Sequence, residues 1–200
     1  ELGLIGQLGQ LMLELGCAQL ARWQVAAPDL VLAVNLSPLQ FRDPELCPQI
    51  FDCIERHGLA PWRLELEITE GVLMENADEI ESNLACLIEA GFRLAIDDFG
   101  TGYSSLAYLK QLPINRLKLD RCFIRDVADD EKGSAICSAT IVLGHKLGLD
   151  LVAEGVETRE QFEHMRALGC DTIQGYHYCR PLPPDKLIPF LLERQADRAN

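Results

Sequence analysis

The 200-residue sequence predicts an α/β fold, a parallel sheet or barrel assembled from strand-helix units. Two observations predict it. From residue 30 onward, short apolar runs of period two alternate with longer stretches whose apolar residues recur at three- and four-residue spacing, as when crossover helices join parallel strands. In addition, Gly58, Gly91, Gly148 and Gly169 each close a helical stretch and precede a strand, where a helix stop belongs.

Taken in order, residues 4–25 read as a helix with no strand before it. Strands follow at 31–37 (VLAVNLS), 64–70 (LELEITE), 93–99 (RLAIDDF), 116–120 (RLKLD), 151–157 (LVAEGVE) and 172–178 (TIQGYHY). Helices fill the intervals at 44–57, 77–90, 134–147, 159–168 and 184–194. Asp43-Pro44 and Pro183-Pro184 mark helix starts, where the missing proline donor costs nothing. Opening on a helix and running through six strand-helix units leaves the pattern two strands short of an eight-stranded barrel. A six-stranded doubly wound sheet fits the same pattern.

The chain is 48% hydrophobic, enough for one sizeable core and hence one domain. Its apolar runs are broken by charges well short of a membrane span, and no signal segment opens it, so the reading is a soluble, cytoplasmic domain. Acids outnumber bases 31 to 18, for a formal charge of −13, which argues against a polymeric nucleic-acid partner. The eight cysteines include no CxxC pair and several fall in apolar segments; they read as reduced thiols rather than a disulfide or zinc framework.

Strand parity locates the chemistry. In a parallel strand covered by helices on one side, alternate residues face the helices and the barrel interior. Leu32, Val34 and Leu36 share one face, Asn35 the other; Leu64, Leu66 and Ile68 oppose Glu65 and Glu67; Leu94 and Ile96 oppose Asp97, with Asp98 next; Leu117 and Leu119 oppose Lys118 and Asp120. With Glu154, polar residues thus project inward near the C-terminal ends of successive strands, the end at which barrel active sites are built. Converging carboxylates repel one another and need compensating charge, for which a hard divalent cation such as Mg²⁺ or Mn²⁺ is suited. Asn35 offers a neutral oxygen beside Glu67 and Asp97, and the adjacent Asp97 and Asp98 can reach two ions, the usual apparatus of phosphodiester hydrolysis. Any one of these acids alone also fits a solvated loop or a helix cap, and Lys118 alone fits a rim salt bridge. DFGTG (98–102) alone is a glycine-rich loop without the companion motifs of a kinase.

Together, NLSPLQF at 35, ELEITE at 65, IDDFGTGYSSL at 96, LKLDRCFI at 117, LVAEGVET at 151 and QGYHYCRPL at 174 closely resemble the EAL family of cyclic di-GMP phosphodiesterases, in family order and through essentially the whole chain. The resemblance implies a modified TIM (β/α)8 barrel whose first strand runs antiparallel. It implies hydrolysis of cyclic di-GMP to linear pGpG with two Mg²⁺ or Mn²⁺ ions, and inhibition by Ca²⁺. Asn35, Glu67 and Asp97 match the family's ligands of a first metal, and Asp97, Asp98 and Glu154 those around a second. Lys118 matches the lysine that contacts the catalytic water, and Glu154 a residue also assigned as general base. Glu157 matches the glutamate that steadies the loop after Asp98, Gln174 a glutamine at the active-site rim, and Asp120 belongs to the same substrate-binding or loop-supporting group. The intact DFGTGYSS loop implies a homodimer.

The departure is the Glu-Ala-Leu signature and the arginine after it, which nothing before Leu4 supplies. The expectation is therefore an N-terminally truncated EAL domain over 1–200, its first strands absent, from a longer bacterial protein with an upstream GGDEF or sensory domain. The whole protein could be membrane-anchored. A receptor of cyclic di-GMP or a protein-interaction module without catalysis stands as the alternative if the chain is complete. A sugar- or phosphate-metabolising barrel outside the family leaves the motif order unexplained.

Overall fold

The computed structural model describes residues 2–73, 78–100, 109 and 114–199. Among them, six strands form one parallel sheet: β1 (Leu32–Leu36), β2 (Leu64–Thr69), β3 (Arg93–Phe99), β4 (Arg116–Leu119), β5 (Asp150–Ala153) and β6 (Thr172–Ile173). The longer helices are α1 (Leu2–Trp23), α2 (Leu46–Arg56), α3 (Asp78–Glu89), α4 (Glu131–Lys146), α5 (Arg159–Ala167) and α6 (Pro184–Ala199). Short helical turns at Pro38–Phe41, Glu70–Leu73 and Arg121–Ile124 follow β1, β2 and β4.

Strand order decides between the two architectures that the sequence left open. The strands lie in the order β1-β2-β3-β4-β5-β6, each hydrogen-bonded to its sequence neighbour. A doubly wound sheet reverses its order at a switch point. A sheet that never reverses, with right-handed crossovers throughout, places its helices on one face and curls the other inward. The result is a six-stranded half-barrel of TIM type, parallel at every described pairing.

The parity read from the sequence holds. Leu64, Leu66, Ile68, Leu94, Ile96, Leu117, Leu119 and Leu151 are all buried in one core with Ile50, Leu87, Ile141 and Met165 from the covering helices. Each such side chain contributes roughly 1.5–3 kcal/mol on leaving water. The helix stops hold as well: Gly58, Gly91, Gly148 and Gly169 all have φ between +62° and +86°, a left-handed conformation open mainly to glycine.

The last two strands are shorter than expected. β5 ends at Ala153, not residue 157, and β6 ends at Ile173, not residue 178. Gly155 turns the chain out of the strand at φ +68°. The amide of Val156 then donates to the Gln174 carbonyl and that of His177 to the Val156 carbonyl, so apolar alternation in this stretch serves a pair of packed loops. Several carboxylates and aromatic groups are released from the strand by that turn, and they build the rim described next.

Candidate active site

Neighbouring strands bring the inward side chains to one end of the sheet. Asn35 pairs in register with Glu67, Thr69 with Asp97, and Lys118 with Val152. The Glu154 amide, just past β5, donates to the Leu119 carbonyl at 3.1 Å.

Lys118 is the hub. Its Nζ lies 2.7 Å from Glu67 Oε1, 2.9 Å from Asp97 Oδ1 and 2.8 Å from Glu154 Oε1. Its side chain is only 4% exposed, and those of the three carboxylates are 7%, 15% and 16% exposed. Burial alone would lower the Lys118 pKa, but hydrogen bonds to Glu154, Glu67 and Asp97 hold it above the usual lysine value. Burial pushes the Glu67 and Glu154 carboxyls upward; Lys118 opposes that rise, and Asp97 adds to it. One ammonium against three carboxylates leaves a net negative charge in a largely buried site, an arrangement that favours a further cation.

Two more acids stand beside this group. Asp98 is the one non-glycine residue with positive φ among the described residues, at 53°, and backbone strain of this kind is characteristic of functional sites. Its amide donates to Asp97 Oδ1 at 3.1 Å. Burial and the charges of Asp97 and Asp120 raise the Asp98 carboxyl, which hydrogen-bonds the Asp120 side chain. Asp120 goes the other way: despite burial, the hydrogen bonds it receives, chiefly at Cys122, hold it low. Asp120 is the N-cap of the turn at Arg121–Ile124, its Oδ1 accepting from the Cys122 amide at 2.9 Å. Asp97, Asp98 and Glu154 can each present a carboxylate oxygen within 4.8 Å of the other two.

Of the residues expected from the sequence, Glu67, Asp97, Lys118 and Glu154 are in direct contact, and Asp98 and Asp120 adjoin them. Asn35 stands apart. It is exposed and, with Thr69, Leu8 and Met12, lines a cavity of about 750 Å³ between α1 and β1. Gln174 and Glu157 line a second cavity of about 610 Å³ beyond β5 and β6, with Arg121, Tyr176 and Arg180. The Glu157 amide donates to Gln161 Oε1 at 2.7 Å, which fixes this residue at the mouth of α5. The loop it was expected to steady falls at residues 101–106, outside the described residues.

The sequence reading passed over two features. Arg180 packs its guanidinium over the Tyr176 ring at 4.7 Å on the rim of the 610 Å³ cavity. The signal for it lay in the YHYCR run that starts two residues after Gln174. Glu65 shares its face with Glu67 but sits at the opposite end of β2, where it binds Arg116 Nη1 at 2.9 Å; parity places both acids inward, and position along the strand separates the structural pair from the site.

A protein-family comparison matches residues 1–181 to the EAL domain. The bifunctional diguanylate cyclase/cyclic di-GMP phosphodiesterase MucR of Pseudomonas aeruginosa is 45% identical over 187 residues, 93% of this chain and 27% of MucR. A solved structure titled as the PaMucR phosphodiesterase in complex with c-di-GMP superposes with a TM-score of 0.88, at 45% identity, covering 92% of this chain and 75% of that one. The Klebsiella pneumoniae BlrP1 complex with manganese and cyclic di-GMP gives 0.79 at 29% identity, over 88% of this chain and 45% of that one. The chain spans about a quarter of the length of the curated relatives it matches.

Proposed function

This chain belongs to the EAL domain family, and on that premise we propose that it hydrolyses cyclic di-GMP to linear pGpG at the strand-end carboxylates, with two Mg²⁺ or Mn²⁺ ions. The observation that carries the reading is the convergence of Glu67, Asp97 and Glu154 on the single ammonium of Lys118. The donor atoms of Asp97, Asp98 and Glu154, mutually within 4.8 Å, and of Glu67 at the same ammonium and its register partner Asn35 are all oxygens, and the excess of negative charge fits a hard divalent cation. Asn35, Glu67 and Asp97 would hold the first ion, and Asp97, Asp98 and Glu154 the second. When bound, the pair supplies an acidified water and neutralises charge on the scissile phosphate.

The remaining work falls to the protein. Lys118, whose three protons go to Glu67, Asp97 and Glu154, would release one of these carboxylates to donate to the attacking water and fix its direction. Glu154, whose carboxyl burial lifts above the ordinary range, takes the proton that the water gives up. Asp120 holds Asp98 through their hydrogen bond. Arg121, Gln174, Tyr176 and Arg180 line the adjoining cavity, where a guanine base could stack on an exposed ring and a phosphate could meet a guanidinium.

In the whole protein we place this domain, as a cytoplasmic homodimer, beside a GGDEF or sensory domain. The several-fold greater length of the relatives and the bifunctional description of MucR support that reading. Among the described residues no helix is long and apolar enough to cross a membrane.

The test is formation of pGpG from cyclic di-GMP in Mn²⁺, by this chain and by a longer version carrying the upstream residues that the resemblance implies, each with an Asp97→Asn control. Hydrolysis abolished by the substitution supports the proposal. Binding of the dinucleotide without cleavage by either version would overturn it in favour of a receptor.

A further inference from the structure

A second group of metal-ligating side chains lies between α1 and α2, away from the strand ends. Glu14 and Cys17 are three residues apart on α1, so they share a face. Cys53 and His57 are four apart, on α2 and at its C-cap, and share the facing side. Glu14 Oε1 lies 2.7 Å from His57 Nε2, and Cys53 Sγ lies 3.6 Å from Glu14 Oε2. The ligating atoms of Glu14, Cys53 and His57 all fall within 4.8 Å of one another. Cys17, buried like Cys53, lies beside it but outside that 4.8 Å group.

We propose that Glu14, Cys53 and His57, joined by Cys17 turning inward as the fourth ligand, form a structural Zn²⁺ site that fastens α1 to α2. One carboxylate oxygen, one imidazole nitrogen and two sulfurs are the donor types of a closed tetrahedral zinc centre. Bonds of about 2.0 Å to nitrogen or oxygen and about 2.3 Å to sulfur put neighbouring ligand atoms roughly 3.3–3.8 Å apart. The 2.7 Å contact of Glu14 Oε1 with His57 Nε2 needs to widen by about 0.6 Å, and the Cys53 thiol, 3.6 Å from Oε2, needs to swing to Oε1. Binding brings one Zn²⁺ in and releases the proton of each thiol.

The surroundings suit the ion. Arg56 Nη2 reaches Glu14 Oε2 at 2.8 Å while Oε1 is the oxygen turned to His57, so the arginine can keep its partner and orient a ligating carboxylate. Asp52 in turn holds Arg56 Nε at 3.0 Å. The thiols form the floor, and the partly exposed Glu14 and His57 side chains, at 35% and 20%, form the entrance. An ion-pair cluster alone would account for Glu14, Arg56 and His57 but not for the buried Cys53 thiol directed at Glu14 Oε2. No CxxC spacing announces the site, because its ligands come as two pairs from separate helices.

The experiment is a Co²⁺ and Zn²⁺ titration of the reduced, untagged, metal-free chain. Cobalt should bind with thiolate charge-transfer absorption and tetrahedral d–d bands, one equivalent of zinc should displace it, and zinc should raise Tm. Cys53→Ser should lose the charge-transfer band and weaken zinc binding at least about a hundredfold, whereas Asp97→Asn, at the strand-end carboxylates, should leave the band unchanged. If Cys53→Ser does not fold by circular dichroism, His57→Gln at the partly exposed helix end, read by zinc affinity, serves in its place. Absence of the charge-transfer band in the parent chain, its persistence in the ligand variant, or a Cys17–Cys53 disulfide that forms in preference to metal binding would overturn the assignment.

Discussion

Replacing Lys118 by methionine tests the electrostatics of the site without any substrate. The change keeps most of the side-chain volume and removes the one positive charge that three carboxylates share at 2.7–2.9 Å. Breaking a buried ion pair by deleting one partner costs about 3–5 kcal/mol, because the charge left behind stays desolvated. That is a large part of a typical domain stability of about 5–15 kcal/mol. The loss should depend on pH. Burial raises the folded-state pKa of Glu67 and Glu154 above the ordinary 4.5, so their contribution is most favourable below that value and declines as pH rises through the folded-state pKa. Without the ammonium the upward shift grows, and the deficit of Lys118→Met widens from about pH 5.5 to pH 7.5. Urea unfolding of both proteins in chelator at those two pH values reads it directly. A deficit under about 1 kcal/mol at pH 7.5, or an equal deficit at both, would refute the claim that these carboxylates depend on Lys118.

Other substitutions separate the roles of neighbouring residues. Asp97→Asn should lower the rate of cyclic di-GMP cleavage at least about a hundredfold while leaving the far-ultraviolet spectrum unchanged, read by chromatography of pGpG. Glu65→Leu, at the opposite end of β2, should cost about 1–3 kcal/mol by removing the buried partner of Arg116, which keeps only the exposed Asp150 at 3.5 Å, with Mn²⁺ affinity unaltered. At Gly175 an added Cβ would collide with the backbone of Val156; Gly175→Ala should therefore lower Tm and weaken dinucleotide binding together. Arg180→Ala should raise the Kd for cyclic di-GMP about three- to tenfold through loss of its contact at the Tyr176 ring, with kcat nearly unchanged.

How much was legible in the sequence varies with the physics involved. The inward placement of Glu67, Asp97 and Lys118 followed from parity alone, since a period of two fixes the face once the apolar neighbours are buried. Architecture did not follow, because periodicity marks elements and not their order; the unreversed order β1 to β6 was needed to discard a doubly wound sheet. The ends of β5 and β6 were misjudged because Val156 and Tyr176 continue the apolar alternation after the chain has already turned out of the sheet. Lys118 was anticipated as a site residue, but its simultaneous grip on three carboxylates depends on side-chain reach across four strands, which spacing does not encode. The Glu14–His57 cluster was invisible for a related reason: its two halves are separated in sequence and meet only through the packing of α1 on α2.

The central claim is that the carboxylates around Lys118 form a divalent-cation site, and a Mn²⁺ titration followed by electron paramagnetic resonance tests it most directly. The signal of free Mn²⁺ should fall on addition of the chain, recover on addition of excess Mg²⁺, and fall far less with Asp97→Asn. A free Mn²⁺ signal that the chain leaves untouched, or that Asp97→Asn diminishes as strongly as the parent does, would contradict the account.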